Sequence, residues 1–275
     1  MKKFITFTSD FGFEDGWVGV CKGVILNIAP GAQIIDISHG ISSFNIRKAS
    51  FVLSSSLFSM PVGIHLAVVD PGVGTSRCPI VLQVERGDYL VGPDNGLLIP
   101  AAEKLGGITK AIEIKNDGYM SEFIRRIFQA RDIFAPVVGH LANDVKLDDI
   151  GVEIPKDSLV SALWREAAIS KKGKIECEAI DIDKFGTVHL NLSGDKLSKM
   201  NISYGKIVEV SWKKGSVKLP FCRTFDDVSV GNSLILIDSS NYLSVAVNQG
   251  SAADFFKLKE GDKLVLNKIL RGDSL

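Results

Sequence analysis

Carboxylates set directly after apolar runs are the first residues in this sequence able to do chemistry. Phe4-Ile5-Thr6-Phe7-Thr8-Ser9 ends at Asp10, followed by Phe11, Gly12 and Asp15. A carboxylate at a strand end can accept two hydrogen bonds from a vicinal diol, coordinate a metal, or act as a nucleophile. Phosphatases with an aspartate nucleophile carry a second aspartate two residues on, where this chain has Gly12. Asp10 can also cap the helix that follows, a place Asp15 fills better. The second stretch is Val68-Val69-Asp70-Pro71-Gly72-Val73-Gly74-Thr75-Ser76-Arg77. Its proline and glycines force a tight turn after a buried strand and can return Arg77 towards Asp70. That pair can serve a reaction or simply tie the loop. Neither G-K-[ST] nor G-x-G-x-x-G accompanies the G-x-G, so a phosphate cradle is disfavoured.

His140 stands in the run Ala130–Ala142 near a helix end, where a lone histidine is more often a hydrogen-bonded core residue than an acid–base group. No cysteine or second histidine lies near it at ligand spacing, and His39, His65 and His189 form no H-x-x-x-H, so no metal is expected. Further on, Asp183, Phe185 and Thr187 surround Gly186 at a strand boundary. Ser239 and Ser240 open a hairpin whose strand runs through Val247 to Gly250. Taken alone, both are ordinary β-turn chemistry.

The elements that must hold these residues follow two patterns. Up to about residue 145, apolar strand candidates (Phe4–Thr8, Gln33–Ile37, Gly63–Val69, Ile80–Glu85, Ala111–Ile114) alternate with helical spacing at Trp17–Ile28, Ile46–Ser59 and Arg131–Leu141. Asn45 can cap the second helix. Near-continuous apolar strands between helices predict an α/β fold, a mostly parallel sheet flanked by helices. Such a sheet binds ligands at the carboxyl ends of its strands, which sets Asp10 and Asp70 on one rim. From about residue 155 short alternating runs at Lys174–Asp181, Thr187–Leu192, Lys206–Trp212, Ser233–Asp238, Ser244–Val247 and Lys263–Asn267 are separated by turn signals. They predict an antiparallel β-barrel-like domain. The expected organisation is an N-terminal domain over 1–148, a linker over 149–155 and a C-terminal domain over 156–275.

Composition excludes several classes of protein. Lys plus Arg and Asp plus Glu number 32 each, so the basic excess of a nucleic-acid binder or a polybasic membrane-surface protein is absent. Apolar residues make up 45% of the 275, too many for a disordered chain. No apolar run reaches the roughly 18 residues that span a bilayer. Cys21, Cys78, Cys177 and Cys222 lack C-x-x-C spacing and read as reduced, packed thiols of a cytoplasmic protein.

Together the motifs resemble the S-adenosyl-L-methionine (SAM) hydroxide adenosyltransferase family, which is related to SAM-dependent fluorinases and chlorinases. They are T-S-D-F-G at Thr8–Gly12, D-I-S-H at Asp36–His39, V-D-P-G-V-G-T-x-R at Val69–Arg77, G-P-D-N-G-L-L at Gly92–Leu98, R-D-I-F-A-P at Arg131–Pro136 and A-V-N-Q-G at Ala246–Gly250. They run in order along nearly the whole chain. The resemblance implies hydrolysis of SAM to adenosine and methionine without a cofactor, in a homotrimer whose sites lie between subunits. It implies a catalytic triad of Asp70, Arg77 and His140. Asp10 would hold the ribose diol, Phe44 would pack near the reacting carbon with Phe11 as a further wall, and Asp15 is counted among the substrate-binding residues. Asp183, Ser239 and Ser240 would hold the methionine end, and Phe185, Thr187 and the main chain at Val247 the adenine. The family's F-G-N is Phe185-Gly186-Thr187 here, which removes an amide from the purine edge; Asn191 is the nearby amide that can replace it. A SAM-dependent halogenase is disfavoured by a carboxylate at position 70, which repels halide. A non-catalytic SAM or adenosine binder is the other alternative.

Overall fold

In the computed structural model, residues 4–122, 127–170, 174–198 and 202–268 are described. The chain divides into two units, Met1–Leu163 and Trp164–Leu275.

The first unit is built on seven strands: β1 (Phe4–Ser9), β2 (Gln33–Ser38), β3 (Ile64–Val68), β4 (Pro79–Val84), β5 (Tyr89–Pro93), β6 (Ile108–Ile114) and β7 (Gly151–Glu153). Their order across the sheet is β2-β1-β3-β5-β4-β6-β7. β1 runs parallel to β2 and β3, and β3 parallel to β5; the β5–β4, β4–β6 and β6–β7 pairs are antiparallel. The sheet is therefore mixed rather than mostly parallel. The reason is local: β4 and β5 are joined by a short turn through Gly87, and a loop that short permits only a hairpin. The segment 149–155, expected as a linker, contributes β7 to this sheet.

Alternation along the central strands sorts the core into two layers. Phe7, Leu66 and Val68 face α1 (Trp17–Ile28) together with Val137, Val138 and Leu141. Ala67, Val69 and Leu82 face α2 (Ile46–Ser56) and α3 (Ile99–Lys104). Asn45 caps α2, its side chain accepting from the Lys48 N–H at 2.9 Å. The helix predicted over Arg131–Leu141 begins as a π-helical turn, Ala130–Phe134, and continues as α4 (Ala135–Ala142). Gly139 lets α4 lie close on α1, because a Cβ there would meet Cβ of Ile28 at 2.9 Å.

The second unit contains β8 (Ala168–Ile169), β9 (Ile175–Ile182), β10 (Val188–Ser193), β11 (Ile207–Trp212), β12 (Gly215–Pro220), β13 (Ser233–Ile237), β14 (Tyr242–Val247) and β15 (Lys263–Lys268). The order is β12-β11-β15-β9-β10-β14-β13, all antiparallel, with β8 added beside β9. A bridge between Phe221 and Ile235 brings the two ends of the sheet together, so the barrel is nearly closed around Val188, Leu190, Val208, Val245 and Leu264.

Candidate active site

The register of the first sheet sets the site. Ser9 pairs with Val68 across the parallel β1–β3 ladder, so Asp10 and Asp70 leave the sheet side by side at its carboxyl edge. After Val69 the chain reverses through successive turns, with the Val73 N–H donating to the Asp70 carbonyl and the Thr75 N–H to that of Gly72, each at 3.2 Å. Asn95 of the G-P-D-N-G motif pins this turn by donating to the Val69 carbonyl at 2.9 Å. The reversal brings Arg77 back to Asp70. Its Nε donates to Asp70 Oδ1 at 3.2 Å, and its Nη2 donates to Asp70 Oδ2. The two side chains are only 7% and 5% exposed, and the guanidinium lies over the Phe134 ring, 5.5 Å from its centroid. Nη2 donates a further bond to Gln129 Oε1 at 2.7 Å.

Asp70 and Asp10 open onto one cavity of about 290 Å³, walled by Phe11, Trp17, Phe44 and Phe128 with Gln129 at its side. Asp10 Oδ2 accepts from the Phe44 N–H at 2.9 Å, holding Phe44 at φ +66°, a region few side chains occupy. That bond presents the Phe44 ring, 71% exposed, at the mouth. Ser9 Oγ lies 2.7 Å from His39 Nδ1 and accepts from the Phe11 N–H, while the His39 carbonyl accepts from Gly12. The D-I-S-H motif thus buttresses the Asp10 loop from below.

Two expected members stand elsewhere. His140 is not part of this cavity's lining; its ring packs edge-on against Tyr119 at 5.0 Å, and burial pushes the imidazole below its ordinary value. Gln129, which the motifs do not single out, is a further side chain bound to Arg77. Asp15 neither lines the cavity nor caps α1, whose first turn is preceded by Gly16 with no side-chain cap. The glycine ends the loop one residue later than the aspartate.

The second unit carries a cavity of about 880 Å³ whose lining brings together Asp183, Phe185, Thr187, Ser239 and Val247 with His189, Arg223, Asp238 and Gln249. Asp183 Oδ1 accepts from the Phe185 and Thr187 N–H groups, both at 2.9 Å, in a turn completed by Gly186 at φ +83°. Oδ2 faces His189 Nε2 at 3.8 Å. On the other side of the ring, Nδ1 lies 2.6 Å from Asp238 Oδ2. Burial pushes the Asp238 carboxyl up, but bonds from His189, the Tyr242 N–H and Ser244 outweigh it and hold the group below the usual carboxylate range. Ser240 is not in the lining; its N–H donates to Asp238 Oδ1 at 2.8 Å. Asn191 is also elsewhere, accepting from the Glu178 N–H and donating to the Arg165 carbonyl, so the amide at this cavity is that of Gln249. Among the described residues no group of three or more His, Cys, Asp or Glu side chains is placed to hold a metal. No helix among them is long and apolar enough to cross a membrane.

Residues 5–151 match the SAM hydroxide adenosyltransferase N-terminal domain and residues 177–265 its C-terminal domain. The chain belongs to the SAM hydroxide adenosyltransferase family. An (R)-S-adenosyl-L-methionine hydrolase of Salinispora tropica is 38% identical over 261 residues, covering 95% of this chain and 96% of that one. A crystal structure of an uncharacterized conserved protein from Thermotoga maritima superposes with a TM-score of 0.88 at 36% identity, over 95% of this chain and 99% of that chain. A fluorinase of Actinopolyspora mzabensis is more distant, 24% identical over 94% of this chain and 95% of that one. In this chain Asp10 and Asp70 are the charged residues that line the first cavity, and Arg77 is bound to Asp70.

Proposed function

We propose that the protein hydrolyses SAM to adenosine and L-methionine by attack of water on the ribose C5′. The observation that carries this is the nearly buried Asp70–Arg77 pair opening on the cavity that Asp10 shares. Water attacks C5′ in line with the C5′–S bond, the bonding pair leaves with sulfur, and the water's proton passes to the Asp70 carboxylate. The leaving thioether is neutral, so the substrate needs no further activation by acid or metal. General-base help of this kind contributes about 100- to 10,000-fold. Positioning of the water in line with the bond contributes at least as much.

Arg77 fixes both carboxylate oxygens, so Asp70 presents a set orientation to the water. Asp10 receives the ribose diol. Phe11 and Phe44 exclude water from the sulfonium, whose charge an aromatic face tolerates. As the sulfonium charge is lost in the transition state, a dry apolar wall favours the reaction over the bound ground state. The second cavity supplies Asp183 for the α-ammonium, Ser239 for the methionine carboxylate, and Phe185, Thr187 and the Val247 main chain for adenine. We assign His140, packed on Tyr119, no step in the reaction.

The two half-sites are carried by separate units. We propose that they meet in a homotrimer, the first unit of one subunit facing the second unit of its neighbour, in the cytoplasm. Sedimentation at working concentration tests the trimer: a monomer that turns over would refute it. Chromatography of products tests the reaction. Each sulfonium epimer of SAM is supplied separately, with no added halide. Adenosine and methionine in equal amounts support it; bound but unconverted SAM would leave a binding protein.

A further inference from the structure

We infer that Gln129 holds the attacking water through its side-chain amide N–H. This rests on the hydrolytic reading of the site, and deepens it. Gln129 lines the same cavity as Asp70, and its Oε1 lies 2.7 Å from Arg77 Nη2. A guanidinium only donates hydrogen bonds, so chemistry fixes which end of the amide faces it: the carbonyl oxygen. The amide nitrogen, with two N–H donors, is turned the other way. No hydrogen bond of that nitrogen is formed among the described residues. Gln129 directly precedes the π-helical turn Ala130–Phe134. Such turns commonly mark functional positions.

The water's own requirements match these groups. It donates one proton to Asp70, attacks C5′ with one lone pair, and has a second lone pair that needs a donor. Arg77 spends Nε and Nη2 on Asp70 and Gln129; its Nη1 is buried without a partner among the described residues, but Arg77 does not line the cavity. Gln129 is the cavity-lining side chain beside that pair with donors to offer. Because an amide takes up no proton in this range, the water's proton goes to Asp70 alone, as the O–C5′ bond forms and the C5′–S bond breaks.

Three variants test the assignment, read as kcat and KM for SAM with thermal unfolding alongside. Gln129→Met keeps the bulk and removes both bonds. Its kcat should fall on the order of 100-fold, the usual loss for one preorganised donor, while KM changes little. Gln129→Glu keeps the acceptor that Arg77 needs but offers no donor to the water, and should lose kcat as well. In Gln129→His, a neutral imidazole can accept from Arg77 on one nitrogen and donate from the other. It should recover rate at high pH and add a limb to the kcat profile in the ordinary imidazole range, above that of the Asp70 carboxylate. If Gln129 merely supported Arg77, Gln129→Glu would keep the wild-type kcat, and that result overturns the proposal. So does a folded Gln129→Met enzyme with undiminished kcat. A wild type that leaves SAM intact overturns hydrolysis and this assignment together, and is told apart because it is measured first.

Discussion

Replacing Arg77 with methionine strips Asp70 of its partner while keeping the apolar bulk over Phe134. The magnitude follows from the geometry. The two side chains are 7% and 5% exposed, so the carboxylate left behind is a charge out of water with nothing to compensate it. Breaking a buried pair from one side costs about 3–5 kcal/mol. The two lost charge-assisted bonds to Asp70, at about 1.5–3 kcal/mol each, give a similar sum. For a domain of this size, each kcal/mol moves Tm by about 2–4 °C, so unfolding of the first unit should come roughly 6–20 °C earlier. The rate should fall too, by about 100-fold or more, since a carboxylate free to rotate no longer holds the water in line. Arg77→Lys separates the two effects. It keeps the positive charge but not the two-point grip, so it should recover much of the Tm and little of the kcat. Calorimetry on the three proteins, with product chromatography on the same samples, makes the comparison. An Arg77→Met protein with unchanged Tm and kcat would refute the claim that this pair builds the site.

Other consequences are independent of that pair. Asp88 is fully buried and accepts from the Gly63 N–H, His65 and two nitrogens of Arg86. Burial pushes its carboxyl up, but the bonds from His65, Arg86 and Gly63 win and hold it far below the ordinary value. Its folded pKa is thus depressed, so its stabilisation is complete above the unfolded value near 4 and is lost as pH falls through the folded one. Urea midpoints should drop with acidification below about pH 5, and Asp88→Asn should flatten that slope while lowering the midpoint at neutral pH. The Cys21 and Cys177 thiols, each pushed up to about 12 by burial, should resist alkylation at pH 8 in the folded protein and react only on unfolding. Chelator should leave the rate unchanged, because the sulfonium is already an activated leaving group; a rate restored only by a divalent cation would contradict this.

The site's acids were legible because two apolar runs stop at Asp10 and Asp70, and parallel neighbours deliver both to one edge. The return of Arg77 was legible in the spacing of proline and glycines. What escaped depended on information the local pattern does not carry. The sheet is mixed because the turn at Gly87 pairs β4 with β5 as a hairpin, yet Tyr89–Pro93 is too short and too rich in glycine and proline to announce a strand. His140 enters the triad through the family resemblance alone. It packs on Tyr119 from α4, however, and the side chain at the cavity is Gln129, a residue with no chemical signature of its own. Asn191 offered an amide, but it faces Glu178 and Arg165, a matter of which side of β10 it occupies. The His189–Asp238 pair joins residues 49 apart in sequence and follows only from the pairing of β10 with β14.

The central claim is that Asp70 takes the proton from a water that attacks C5′ of SAM. The most direct measurement is single-turnover product formation in water enriched with heavy oxygen, for the wild type and for Asp70→Asn. One heavy oxygen should appear in the 5′-hydroxyl of adenosine, with an equal amount of methionine. The Asp70→Asn protein should bind adenosine as tightly and form product at least about 100-fold more slowly. Adenosine without the heavy oxygen, or an Asp70→Asn rate equal to the wild type, would contradict the account.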